Sequence, residues 1–404
     1  MHIHTTMNFI SENYRVLREY RNLVELLFAV FVSMVGFGLI APLLPVYMRS
    51  FGATGVQLGI IMALFGATRA LVSYPGGRYA DKVGRKKLIS LGLVIYTVDM
   101  FLFGIATNLY QLFLFRAIQG AASGIVWPVA TVMAADIVKP KDRGKAMGLF
   151  SMMWDLGMIM GPVIGGVLAD MFSMSTPFYF TSLLAFASCV LIILRVKETA
   201  HRKKDQEIVV KRKELTPYFK TFIGLCFAGF GTSFAMGLVQ PVLSVYANEV
   251  MGLSKALIGI VFGVMAFFRF VTKPIAGEIS DNIGKRIFIL TGRTINSVFT
   301  FMIIFAKDFL ALTFTMALRG VGTGMGMPTA NALTTSIAYK ENRGKVMGWY
   351  STARNIGLFA GPILGGWAYD NMGKTEPFIL CGIIGMITVG VIFFTVFDPK
   401  EGLE

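Results

Sequence analysis

Two carboxylates and six guanidinium groups stand inside apolar stretches of this 404-residue chain. The acids are Asp99 and Asp155; the bases are Arg69, Arg116, Arg269, Arg293, Arg319 and Arg354. An ionisable side chain at membrane depth costs roughly 2.5–3.5 kcal/mol on insertion scales unless it faces a cavity or a partner. Such groups therefore mark either an ion pair or a route for charge. Asp155 follows Lys145 by ten residues, about 15 Å along a helix, which puts it close to the bilayer midplane. It is the first candidate for taking up and releasing a proton, Asp99 is the second, and Arg116 is the group that would tune them. A structural pair with a buried arginine is the competing reading for both acids.

Other chemistries find no constellation. His2, His4 and His201 fall in the N-terminal tail and the central loop, so no histidine is expected to carry a proton inside an apolar stretch. Cys189, Cys226 and Cys381 are scattered and form no C-x-x-C pair, which argues against disulfides, zinc or any other metal site. Gly373-Lys374-Thr375 mimics the end of a phosphate loop, but Ala368 stands where its first glycine belongs and no strand precedes it. No cofactor and no enzyme activity are expected.

The elements that must hold these charges are long apolar helices. Hydrophobic residues make up 55% of the chain and charged residues 15%, with a mean hydropathy of +0.65. Twelve spans are predicted near 23–48, 56–77, 88–106, 110–136, 145–170, 176–196, 218–248, 254–277, 287–306, 309–336, 345–369 and 375–397. A backbone in lipid must satisfy its own hydrogen bonds, and no alternating strand pattern appears, so the expected class is an all-α membrane protein. Under an odd–even assignment of loops, 28 of the 38 Lys and Arg fall on the side of both termini, and only Arg49, Lys255, Lys307 and Lys374 fall on the other. The bias places both termini in the cytoplasm. It also accounts for the net charge of +15 without any nucleic-acid partner. In the fourth span Arg116, Gln119, Gly120, Ser123, Trp127 and Thr131 share one helical face, and Asp136 lies about 200° from Arg116. This polar stripe predicts contact with a wet cavity.

One half of the chain repeats the other at an offset of 200. The pattern G-x-x-x-G-P-x-x-G-G occurs as Gly157, Gly161, Pro162, Gly165, Gly166 and again as Gly357, Gly361, Pro362, Gly365, Gly366. Asp81 and Asp281, Gly84 and Gly284, and Asp170 and Asp370 keep the same offset. A duplication whose shared positions are glycines and loop charges predicts two bundles moving about an interface. The expected boundaries are 1–196 for the first six-helix bundle, 197–217 for a solvated cytoplasmic linker and 218–404 for the second bundle.

The loop from Gly77 to Lys87 contains Gly77, Asp81, Gly84 and Arg85 at the spacing G-x-x-x-D-[RK]-x-G-[RK]-[RK]. With this loop the chain resembles the major facilitator superfamily. Gly36, Pro42 and Pro45 fit that superfamily's first helix, and Leu112, Arg116, Gln119 and Gly120 fit its fourth. The element at Gly157 to Gly166 resembles the fifth-helix motif of the drug:proton antiporter branch. The resemblance implies the major facilitator fold, twelve transmembrane helices in two six-helix bundles. It implies a latch in which Asp81 docks near the N-terminus of the eleventh span while Arg85 pairs with Asp136. Ser336 stands 200 residues beyond Asp136, so the second copy of the latch lacks its acid. The resemblance also makes the third span peripheral, which favours a structural role for Asp99.

The leading expectation is a secondary active transporter working by alternating access, exporting small hydrophobic or amphipathic compounds in exchange for protons across the plasma membrane. Its substrate cavity would be lined by Arg116, Gln119, Ser123, Trp127, Arg319 and Arg354. Surplus interior arginine raises an alternative, a carrier for an organic anion or metabolite. A non-transporting membrane receptor is a third reading, from another class. The expected partners are a small-molecule substrate, protons and the lipid bilayer, with the chain acting as a monomer.

Overall fold

The computed structural model describes residues 15–199, 216–339 and 342–399. Most of the 197–217 segment and all three histidines lie outside them. Regular structure among the described residues is helical: α1 (Arg21–Ile40), α2 (Leu44–Ser50), α3 (Gly55–Val83), α4 (Arg85–Gly104), α5 (Leu109–Ile137), α6 (Arg143–Met171), α7 (Thr176–Arg195), α8 (Phe219–Glu249), α9 (Lys255–Ile283), α10 (Lys285–Phe301), α11 (Phe309–Ser336), α12 (Arg343–Asn371) and α13 (Glu376–Thr395), with short 3-10 turns at Pro140–Asp142 and Met302–Phe305. The first predicted span is broken: α1 stops at Ile40 and α2 restarts at Leu44. Pro42 lacks the amide hydrogen that a continuous ladder needs, and Pro45 occupies a first-turn position of α2, where that loss is harmless.

Among the described residues, ten helical segments are long and apolar enough to cross a membrane. Phe309–Ser336 and Arg343–Asn371 match them in length, at 28 and 29 residues, but carry Arg319, Arg354, Asn331 and many threonines and glycines. Of their polar residues, Thr315, Arg319, Thr329 and Thr334 are buried. Leu71, Leu114, Phe186, Leu194 and Phe394 are more than half exposed on the helix exteriors, as expected for surfaces that lipid covers.

Packing divides the chain into two units, Met1–Ala41 with Ala67–Gln206, and Pro42–Gly66 with Glu207–Glu404. In the first, α1 packs along α6 and α7, and α4 along α5 and α7. In the second, α8 packs along α12 and α13, and α10 along α11 and α13, so the sequence repeat is a repeat of helix pairing. The glycine element sets the spacing of the first of these pairs. A Cβ at Gly161 would lie 2.6 Å from Gly38 Cα and from Val35 O, and one at Gly157 would meet Met34. Gly357, Gly361 and Gly365 press equally closely on the backbone of Phe230, Phe234 and Leu238. Backbones this near to each other exclude any side chain and gain dispersion along the whole seam.

The loop expected from Gly77 to Lys87 is almost absent. Helix α3 continues to Val83 and α4 begins at Arg85, leaving Gly84 as the sole connecting residue, at φ 113° and ψ 135°. Gly77 lies inside α3 with open space around it, so it makes no turn. The abrupt restart is possible because Glu198 supplies the missing acceptors: Arg85 N donates to its Oε1 at 3.0 Å and Lys86 N to its Oε2 at 3.2 Å. At the second repeat Gly284 has φ 114°, and Lys285 N and Arg286 N donate to the Asp398 carboxylate at 3.1 and 3.2 Å. Glu198 and Asp398 are themselves 200 residues apart. Glu198, read from sequence as one charge of a solvated linker, instead caps a helix N-terminus, where the exposed amides and the helix dipole favour an anion.

Candidate functional site

The charged end of the first unit is built around Arg85. Its guanidinium pairs with Asp136, at the end of α5, and lies 3.3 Å from Asp81 one turn back on α3. Asp81 itself remains 65% exposed. In the second unit Lys285 reaches only Asp281, at 3.0 Å, and Arg286 turns to the backbone of Phe393 and the ring of Phe397. The two loops share turn geometry and differ in wiring, because Ser336 offers no charge where Asp136 does. A further anchor had no sequence signal: Asp142, only 1% exposed, accepts from Arg15 at 2.8 Å and from the Tyr20 hydroxyl at 3.1 Å.

Deeper in the same unit, α4 and α5 enclose a polar cluster. Arg116 donates to Gln119 one turn along α5, and the Gln119 amide turns to Met100 Sδ at 3.9 Å. Arg116 is 7% exposed, Gln119 0% and Ser123 4%, so this stretch of the stripe is packed against α4. Asp99, on α4, is 1% exposed, and neither of its carboxylate oxygens has a hydrogen-bond partner among the described residues. Arg116 is the charge that acts on it. The third span is thus turned inward at Asp99. Sequence reasoning had ranked this acid below Asp155 on the ground that the span is peripheral; a helix can be peripheral and still direct one face at its neighbour. Asp155 is 2% exposed on α6, whose glycines at 157, 161 and 165 meet α1. Next to it, Trp154 meets Trp127 of α5 edge to face, with ring centroids 5.0 Å apart.

The second unit contains a cavity of about 760 Å³, open mouth included, between α8, α9, α10, α11 and α12. Arg319 and Arg354 line it, and Arg293 joins them. The sequence names Arg293 as interior but does not include it among the cavity residues. Asn296, Thr323 and Tyr350 complete the polar wall, with Met236, Met265 and Met327 among the apolar lining. Asn296 Nδ2 donates to Thr323 Oγ1 at 2.9 Å and fixes α10 against α11. The candidate residues therefore fall into two groups, Arg116, Gln119, Ser123 and Trp127 in the first unit and Arg319 with Arg354 in the second.

Asp370 near the end of α12 was visible in the sequence only as a repeat position. Its two oxygens accept from Gly55 N at 2.9 Å and Val56 N at 3.0 Å, the first amides of α3. Arg49 pairs with Glu249 at 2.8 Å nearby in the same unit. Together these hold the segment 42–66 on the second unit.

Residues 26–224 and 225–404 each match the family model of the Major Facilitator Superfamily. The chain is 27% identical over 380 residues to multidrug resistance protein 2 of Bacillus subtilis, covering 91% of this chain and 93% of that protein. It is 29% identical over 375 residues to the quinolone resistance protein NorA of Staphylococcus aureus, covering 90% and 94%. Among solved structures, a mutant of the nucleoside transporter NupG superimposes with a TM-score of 0.80 at 11% identity, covering 92% of this chain and 99% of that one. At that identity the likeness is one of fold.

Proposed function

Because the chain belongs to the Major Facilitator Superfamily, we propose that it is a proton-coupled exporter of small hydrophobic or amphipathic compounds, working by alternating access. Relatives spanning nine-tenths of the chain are multidrug and quinolone resistance proteins, which supports export of foreign amphipathic molecules. The observation that carries proton coupling is the Asp99 carboxylate, buried under the influence of Arg116 with neither oxygen hydrogen-bonded among the described residues. A buried charge without hydrogen bonds costs several kcal/mol, and a bound proton removes that cost. Asp99 and Asp155 then serve as proton sites, with Arg116 as the cation that senses their charge. Arg116, Gln119, Ser123, Trp127, Arg319 and Arg354 are the substrate-contact candidates.

The latch comprises Asp81, Arg85 and Asp136 around the turn at Gly84, with Asp370 as a second fastening on the segment 42–66. The working unit is the monomer, since one chain holds both repeats. Its site is the cytoplasmic membrane with both termini inside, a placement that rests on the Lys and Arg bias.

The test uses purified protein in liposomes with an internal pH dye and an imposed ΔpH, challenged with lipophilic cations and with organic anions. Substrate-dependent proton movement is the expected result. Substrate flux that leaves the internal pH unchanged would remove the antiport reading.

A further inference from the structure

Three guanidinium groups share the cavity of the second unit, and no Asp or Glu is among the residues that line it. None of the three forms an ion pair with an acid among the described residues. Arg293 donates to the carbonyl of Ala228 at 3.3 Å, and Arg319 to Met316 Sδ at 3.1 Å. Arg354 reaches only Met327 Sδ, at 4.0 Å, and lies over the Tyr350 ring at 5.8 Å. The groups that act on Arg293 are Tyr350, Cys381 and Arg354, and none of them carries a negative carboxylate. Arg319 is 5% exposed and its Nε has no partner.

A guanidinium stays charged in a protein and offers five donors in a planar fork. Here those donors meet one backbone carbonyl and two thioethers, the latter weak acceptors, while the like charges repel one another across the cavity. Such a site is completed by an anion. Its form selects which anion: the fork suits the paired oxygens of a carboxylate, sulfonate or phosphate monoester. Met236, Met265 and Met327 in the same lining offer a soft, adaptable surface to an apolar body. A free inorganic ion would leave that apolar wall unused.

We propose that this cavity binds the acidic group of an amphipathic organic anion, with Arg319 and Arg354 as its principal contacts and Arg293 as the supporting charge. The inference rests on the transport reading and names its substrate class. One consequence is electrical. Export of a monovalent anion against one entering proton moves two positive charges inward, whereas export of a monovalent cation against one proton moves none.

The probe is dansylglycine, compared with its uncharged methyl ester, and binding is read by dansyl fluorescence on the full chain in phosphatidylcholine nanodiscs. The acid should bind at least tenfold more tightly than the ester. Arg319→Gln and Arg354→Gln should each erase that preference while leaving ester affinity within twofold, and Arg354→Lys should keep part of it. Equal affinity for acid and ester on the unmodified chain overturns the proposal even if a variant fails to fold. So does an acid preference that survives both Gln variants. Displacement of dansylglycine by inorganic phosphate alone, or loss of its binding in nanodiscs rich in phosphatidylglycerol, would assign the site to a free ion or a lipid headgroup and also overturn it. Proton movement in liposomes with tetraphenylphosphonium but not with dansylglycine would leave antiport standing and remove the anion site. Arginine-dependent binding of dansylglycine without proton movement for any compound would do the reverse.

Discussion

Replacing Asp370 by Asn should release the segment 42–66 from the second unit. The Asp370 carboxylate accepts from Gly55 N at 2.9 Å and from Val56 N at 3.0 Å, one oxygen to each amide, at the first turn of a 29-residue helix. An asparagine keeps one oxygen and presents an NH2 group to the second amide, donor against donor. The lost charge-assisted bond is worth about 1.5–3 kcal/mol. The charge at the helix end adds about 0.3–1 kcal/mol, and the bond that survives offsets part of the total. A net loss of about 2 kcal/mol shifts the ratio of docked to undocked segment about 30-fold. The Arg49–Glu249 pair and the close backbone contacts of Gly59 and Gly366 remain, so the segment should loosen rather than unfold.

Spin labels at the exposed positions Thr54 and Met372 would read this as a longer-distance population in pulsed dipolar spectra. Asp308→Asn is the control, because Asp308 caps only its own helix, through Ala311 N at 2.8 Å. A distance distribution in Asp370→Asn indistinguishable from that of the unmodified chain would refute the reasoning.

Glu198→Gln and Asp398→Asn should each lower the stability of their own unit by about 1 kcal/mol, read as paired decreases in thermal midpoint, because each weakens a two-amide cap at a one-residue turn. Gly161→Leu should be poorly expressed or lose well over 1–3 kcal/mol, the usual cost of overpacking, since its Cβ already meets Gly38 and Val35. Gly148→Ala, with nothing within 4 Å and inside α6, should melt no lower than the unmodified chain and gain up to about 0.5–1 kcal/mol in the same assay. Asp136→Asn should slow transport without abolishing substrate binding, because it strips Arg85 of its partner on α5, leaving only Asp81, while the buried clusters stay intact; a normal turnover rate would count against the latch.

The fold was legible because two signals agreed, apolar runs of helical length and an exact offset of 200 between glycines. What escaped was whatever depends on residues far apart in sequence meeting in space. Glu198 and Asp398 look like charges in polar segments until the amides of residues 85 and 285 are seen to end on them. Periodicity along one helix could join none of Arg293, Arg319 and Arg354, which sit on α10, α11 and α12, and their shared cavity appears only in the packed unit. Gly77 and Gly84 are equivalent as sequence symbols, yet only Gly84 takes a positive φ. Helical arithmetic sets Asp155 apart from the glycine seam, but the same arithmetic cannot say which neighbour the far face meets. That is why the inward turn of Asp99 appeared only with α5 packed against α4.

The claim that a buried carboxylate of the first unit carries the coupling proton is tested most directly by comparing two modes of transport in liposomes. One is substrate flux driven by ΔpH; the other is exchange of labelled for unlabelled substrate with no gradient. For one proton per cycle with the membrane potential clamped at zero, each pH unit supports a tenfold substrate gradient, about 1.4 kcal/mol. The account predicts that Asp99→Asn, which fixes the residue as its own neutral mimic, loses the ΔpH-driven gradient and retains exchange. A full ΔpH-driven gradient in both Asp99→Asn and Asp155→Asn would contradict it.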